Sequence, residues 1–400
     1  MFRCPALPSR TADAMAGPRS ADTTRRDVLA RFGAATAALV TPRLLTGAAS
    51  AIPVSASRAD ASPSLAALAR AKGLELGASF AVHELDSPYG ARYAEAYARD
   101  CAAITSELEF KMDALRPRAD TIDFAGADRL VAFAEQHKLR VRGHTLIWND
   151  FLPEWVHRLS PGEVEHLLEA HIETVIERYR GRVAIWDVVN EPIGPWDRLP
   201  GNLRKGPFLT ALGEGYIARA FRTARRMDPG ATLVLNEAQT ETADENGQTF
   251  RDSLLALLKR LKAEAVPIDA VGLQSHLWSD KPYDMARFTG FLDDIAVLGY
   301  AIHITELDVN DRAYPLTVSR RDRKVADLYT RFLTPVLAHK AVTSLTFWQL
   351  SDRTSWLWYA AGQTSPRATR RPRPLPLDES FSRKPAWHAV ADALRAMPPR

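Results

Sequence analysis

Two cysteines, Cys4 and Cys101, are all that 400 residues contain, so no disulfide framework can staple the fold. Long apolar runs are missing too. No stretch past the N-terminal region approaches the roughly 20 unbroken apolar residues of a membrane span, which excludes a helical membrane protein. A glycine-rich first turn of the GxGxxG type is absent, and with it the usual signature of a dinucleotide-binding doubly wound sheet. Charge of one sign is scarce once it is located. Lys and Arg number 52 against 48 Asp and Glu, and residues 1–51 alone hold seven arginines against three acids, which accounts for the whole formal charge of +4. The remaining chain is neutral. A nucleic-acid partner, which needs a basic surface with interleaved aromatics, has no motif behind it, and a membrane partner has none either.

What those first 51 residues do contain is the pattern of an export signal. Arg25-Arg26, preceded by Thr24 and followed by Val28-Leu29, opens a weakly apolar, alanine-rich run. Ala49-Ser50-Ala51 ends it in the small-x-small form that signal peptidase accepts. The arginine pair resembles a twin-arginine signal. Cleavage and a periplasmic or extracellular location are expected, with Met15 as an alternative start. The organisation expected is a signal over 1–51, a linker over 52–75 and a catalytic domain over 76–397, acting as a monomer.

From residue 77 a short apolar strand and a longer amphipathic stretch alternate. The strands predicted are Gly77–Val82, Ala102–Leu108, Arg140–Trp148, Val183–Asn190, Thr232–Asn236, Ala270–Leu277, Ala301–Leu307 and Ser344–Gln349. Between them, three- and four-residue spacing predicts helices such as Val164–Tyr179, Tyr216–Met227, Phe250–Ala263 and Arg323–Leu337. Strand followed by helix eight times over is the pattern of a single α/β domain, a (β/α)₈ barrel.

Several strands finish in reactive residues: Gly143-His144 through Trp148, Asn190-Glu191, Gln274 and His276, Glu306 with Asp308, and Trp348. Active sites of this fold lie at the carboxyl ends of the strands. Glu191 and Glu306, three strands apart on a ring of eight, can face each other across the mouth. Such a pair suits cleavage of a glycosidic bond, one carboxyl protonating the departing oxygen and the other stabilising or capturing the anomeric centre. No cofactor and no metal are needed for that. A metal-dependent hydrolase using His144, His276 and His303 with the two glutamates is the rival enzyme. It is disfavoured because His303 and Glu306 have opposite parity on their strand. A glycan-binding barrel without catalysis is the non-enzyme alternative.

WDVVNEP (Trp186–Pro192) and ITELD (Ile304–Asp308) resemble the acid/base and nucleophile signatures of glycoside hydrolase family 10, the retaining endo-β-1,4-xylanases. RGHTLIW (Arg142–Trp148), GLQSH (Gly272–His276), FWQLSDRTSW (Phe347–Trp356) and a closing PLPLDESFSRKPAW follow in family order. The resemblance implies a xylan-like polysaccharide or oligosaccharide substrate, with Glu191 as acid/base and Glu306 as nucleophile. Glu191 must begin protonated, so a neighbouring carboxylate is expected to favour its neutral form. Asn190 is implied as the amide that donates to the sugar 2-hydroxyl. His276 is expected to donate to Glu306, Asp308 to orient that imidazole, and Gln274 to share their face. Glu107, Lys111 and His144 match the polar residues that hold the sugar, while Trp148, Trp348 and Trp356 match its aromatic platforms. Trp358 is expected to do no more than pack.

The departures from that pattern cluster. Leu108 and Met112 stand where the usual ENEMKW-like run has Asn and Trp, Phe151 where WHSQLP has Gln, and Asn236-Glu237-Ala238-Gln239 replaces an NDYN-like run. All three changes fall on the glycone side, so subsites beyond the reacting sugar are expected to be more apolar and to favour a decorated or short glycan. A last basic loop, Gln363–Pro376, carries Arg367, Arg370, Arg371 and Arg373 without an acid. It is expected to be solvated, the sharper reading being a contact to acidic decorations.

Overall fold

The computed structural model describes residues 63–315, 317–358 and 370–400. The export signal, Cys4 and Arg367 lie outside the described residues. Eight strands run parallel: β1 (Glu75–Phe80), β2 (Ala103–Ser106), β3 (Arg140–Trp148), β4 (Ile185–Asn190), β5 (Thr232–Glu237), β6 (Ala270–Leu273), β7 (Ala301–Asn310) and β8 (Val342–Phe347). Each pairs with the next, and β8 returns to β1 through Glu75↔Ser344 to Ala78↔Phe347, which closes the (β/α)₈ barrel. Closure leaves no open edge between the eight strands.

The strand predicted as one piece over Ala270–Leu277 is broken. Ser275 takes a left-handed φ of 60°, and a short strand, His276–Trp278, resumes alongside β7 from His276↔Asp308. Helices begin earlier than their apolar periodicity because caps extend them. Pro161–Tyr179 starts at a capping box between Ser160 and Glu163, and Glu245–Ala263 starts where the Asp244 side chain accepts from Gly247 N. Within the stretch read as linker, Ser64 caps the helix Leu65–Arg70, whose Leu65 and Ala69 are fully buried. Among the described residues no helix is long and apolar enough to cross a membrane.

Inside the barrel, Ile185, Val234 and Ala270 form a small apolar floor. Further along the strands the filling turns polar. Arg142 donates to Asp187 at 2.9 Å through Nε and 2.5 Å through Nη2, and its Nη1 lies 3.0 Å from His303 Nδ1. Burial alone would raise Asp187, but Arg142 and His144 beside it bring its pKa down to about 2. His303 and Glu306 both face inward although their parity differs, because the β7–β8 register shifts between Ile304 and Leu307. Strand parity therefore does not separate the two side chains. His303 is kept from the mouth by depth instead, held against Arg142.

Gly143 is the position where the barrel has no room. A Cβ there would stand 2.2 Å from Trp186 Cζ3, and Trp186 is fully buried, edge-on to Phe110. Gly143→Ala should cost about 1–3 kcal/mol or more of unfolding free energy. A urea midpoint equal to that of the parent protein would refute this reading of the glycine.

Candidate functional site

The mouth of the barrel is assembled by its own backbone. Glu191 N donates to Asn236 O, Gln274 N to Glu237 O and Glu306 N to Gln274 O, each at 2.9 Å. Glu191, Gln239, Ser275 and Gln349 all take left-handed φ, between 52° and 73°. A non-glycine residue held there costs about 1 kcal/mol or more, so each strand end is over-determined by what surrounds it.

Glu306 is held from two sides. Its Oε2 lies 3.2 Å from His276 Nε2 and its Oε1 accepts from Asn236 Nδ2 at 2.8 Å. His276 Nδ1 in turn sits 2.9 Å from Asp308 Oδ1, and Trp356 Nε1 donates to Asp308 Oδ2 at 2.7 Å. Burial would discharge the imidazole, but Asp308 and then Glu306 outweigh it and hold His276 well above its ordinary pKa. Burial likewise works against a charged Glu306, and the His276 hydrogen bond prevails, leaving the carboxyl below its ordinary value. The expected chain of Asp308, His276 and Glu306 is thus in place.

Glu191 faces a different neighbourhood from the one expected. Its Oε1 accepts from Gln274 Nε2 at 2.9 Å, but its Oε2 accepts from Arg204 Nη1 at 2.6 Å. Arg204 also donates from Nη2 to Asp150 at 2.5 Å. Where the sequence argument put only a carboxylate beside Glu191, the structure adds a guanidinium. Asn190 Oδ1 accepts from Asn236 Nδ2 at 2.8 Å, while Asn190 Nδ2 is buried without a protein partner, a donor left over for a ligand hydroxyl.

On the glycone side Glu107 accepts from Ser79 Oγ at 3.2 Å and from Gln349 Nε2. Burial pushes its carboxyl up to about 7 despite Lys111. The same burial draws the Lys111 ammonium below its ordinary pKa. That ammonium lies 4.1 Å from the Phe151 ring centroid and 5.1 Å from that of Trp148, and the two rings stack at 5.0 Å. His144, its Nδ1 2.9 Å from Asp187 Oδ2, stands between Trp148 and Trp348. Trp348 and Trp356 are largely buried and share one cluster with Leu357.

His144, His276 and His303 each have other partners, so they do not form a common ligand set. Among the described residues no group of three His, Cys, Asp or Glu side chains is arranged to hold a metal ion. Of the basic loop, only residues 370–376 fall among the described residues, and three of its arginines have protein partners there. Arg370 donates to the carbonyls of Tyr314 and Asp311, Arg371 pairs with Glu379 and covers Trp358, and Arg373 makes a two-pronged bond to Asp322. These three arginines tie residues 370–373 to the rest of the chain. Sequence reasoning missed Asn236, Asp187, Gln349 and Arg204 as site residues. Asn236 and Gln349 stand at or near strand ends, where the rule already applied to Glu191 would have found them, whereas Asp187 lies mid-strand in β4.

The chain matches the model of glycosyl hydrolase family 10 over residues 64–393. Endo-1,4-beta-xylanase B of Thermotoga neapolitana is 30% identical over 312 residues, covering 77% of this chain and 84% of that protein. Among solved structures, native xylanase 10B from Thermotoga maritima aligns with a TM-score of 0.73 at 30% identity, over 83% of this chain and 98% of that one. Xylanase 10B from Thermotoga petrophila RKU-1, in complex with xylobiose, gives 0.74 at 29% identity, over 83% and 97%.

The raised His276 has a sign that can be checked. A histidine whose folded pKa exceeds its unfolded value adds stability that is full below about pH 6.5 and is lost as pH climbs through the folded value. Urea unfolding across pH 6–9 should therefore show stability declining, and Asp308→Asn, which removes the main cause, should flatten that decline. Parallel curves for the two proteins would contradict it.

Proposed function

The chain belongs to glycosyl hydrolase family 10, and from that premise we propose that it is a retaining endo-β-1,4-xylanase acting by double displacement. In the first half Glu191 gives its proton to the glycosidic oxygen as the C–O bond breaks, and a Glu306 oxygen bonds to the anomeric carbon. In the second half Glu191 takes a proton from water, the water oxygen bonds to the anomeric carbon, and the ester to Glu306 breaks. The observation that carries this reading is the unequal treatment of the two carboxyls. Glu306 is kept charged by His276 and oriented by Asn236, as a nucleophile must be. Glu191 stands beside an asparagine with an unused donor, which suits a contact to the 2-hydroxyl that tightens in the transition state.

The glycone wall supports a preference for decorated or short xylan fragments. Leu108 and Phe151 each replace an amide there and Met112 a Trp, and the Phe151 ring lies stacked on Trp148 under the Lys111 ammonium. Export by the twin-arginine route, supported by Arg25-Arg26, would bring the enzyme to a polymer that cells cannot take up whole.

Proton NMR of xylo-oligosaccharide cleavage should show the β-anomer released first; release of the α-anomer would overturn double displacement. Glu306→Gly should lose turnover by about 10⁴-fold or more while still binding xylo-oligosaccharide in calorimetry. Phe151→Gln should raise kcat/KM on linear xylo-oligosaccharides several-fold, and an unchanged value would remove the apolar wall from the account of specificity.

A further inference from the structure

Arg204 is seated against Glu191 by construction. The chain leaves Glu191 through Pro192, turns, and comes back so that Gly194 N donates to Asn202 O and Arg204 N to Pro192 O, both at 2.7 Å, with Ile193 and Leu203 bridged antiparallel. Gly194 leaves room for the return, since a Cβ there would meet Arg204 Cα, Cβ and Cγ at 3.0 Å. Gly206 does the same for the segment after β3: a Cβ on it would lie 1.9 Å from Asn149 Oδ1, next to Asp150. Two segments are thus clamped so that one guanidinium reaches two carboxylates. Nη1 lies 2.6 Å from Glu191 Oε2 and Nη2 2.5 Å from Asp150 Oδ1, with Trp196 5.9 Å from the guanidinium carbon.

This arrangement restricts what Glu191 can be. Gln274 donates to Oε1 and Arg204 to Oε2, and the guanidinium has no acceptor to offer in return. Donors on both oxygens favour the carboxylate over the acid, and the carboxylate is the form that activates water. Acting as an acid is easier for Glu191 with the guanidinium drawn off Oε2. Asp150, already holding the other guanidinium nitrogen, is where the arginine can go. The remaining titratable groups around Glu191 are Glu237 on β5, whose carboxyl burial pushes well above its ordinary value, Lys111 after β2, Glu306 on β7 and His276 after β6. None of these bonds to Glu191 directly.

We propose that Arg204 is a positioning residue shared between Asp150 and Glu191: it holds Glu191 as the base for hydrolysis of the glycosyl-enzyme, and Asp150 draws it away when Glu191 carries the proton. The inference rests on the acid/base reading of Glu191. It makes the two partners act in opposite directions, which a merely structural contact would not do.

The test compares pH profiles of kcat/KM for the full-length enzyme, Arg204→Gln and Asp150→Asn. One substrate is xylotetraose; the other is 2,4-dinitrophenyl β-xylobioside, whose departing group needs no proton. On xylotetraose, Arg204→Gln should move the alkaline limb upward by about one pH unit, because a cation that favours the carboxylate is gone. Asp150→Asn should move the limb downward, because the arginine is no longer shared. Neither should move it on the dinitrophenyl substrate. Limbs that stay put while rates fall equally at every pH, or that move the same way in both variants, overturn the proposal. If Arg204→Gln does not fold, the downward shift in Asp150→Asn decides alone. Glu191→Ala separates the two levels of the argument: it should keep kcat/KM on the dinitrophenyl substrate and lose it on xylotetraose. Equal loss on both defeats the acid/base reading itself, whereas unmoved limbs in an enzyme that passes this control defeat only the role of Arg204.

Discussion

A carboxylate buried in a barrel mouth must have a cation or several donors against it, and the centre of this molecule is arranged around that demand. Asp187 lies between Arg142 and His144, Glu306 against His276, and Glu191 against Arg204. Arg142 and His144 stand on a different strand from Asp187, and His276 on a different strand from Glu306, while Arg204 is returned to Glu191 by the fold of their own loop, so satisfying the charges also fixes how the segments stand relative to one another. The polar filling is accordingly part of what specifies the barrel. The apolar floor of Ile185, Val234 and Ala270 is small, and the middle of the barrel is held by hydrogen bonds with defined directions.

Pairing does not make these sites equivalent. Asp187 sees a guanidinium deep in the barrel and stays charged at any ordinary pH. Glu107, with Lys111 near but not bonded, is pushed by burial to about 7. Glu306 is set by an imidazole that is itself held cationic by Asp308. One dry environment thus supports a permanent ion, a group poised near neutrality and an oriented nucleophile, and the difference lies in which donor touches which oxygen.

Most of the fold was legible because strand-then-helix alternation is a property of period, and period survives in a single sequence. Glu191, Glu306, His276 and Asp308 were legible because they lie towards or just past the carboxyl ends of the barrel strands. The break at Ser275 was not, since Leu273 to Leu277 reads as one apolar-polar run and only the pairing with β7 shows the slip. Nor was the change of parity between His303 and Glu306, which depends on a register shift against β8. Arg204 carried no signal at all. Thirteen positions past Glu191, in a loop of ordinary composition, it becomes a neighbour only because the loop folds back on Pro192.

Asn236 donates at 2.8 Å both to Asn190 Oδ1 and to Glu306 Oε1, and its own Oδ1 accepts from Thr305 Oγ1 at 2.7 Å. One amide therefore ties the strand that presents Glu191 to the strand that presents Glu306. In evolutionary terms it acts as a rivet: a substitution on either side is felt on the other, and the centre can change only by several steps at once. Leu108, Met112 and Phe151 stand outside that riveted set. Variation can accumulate there one residue at a time, so new substrates can be tried without re-inventing the reaction.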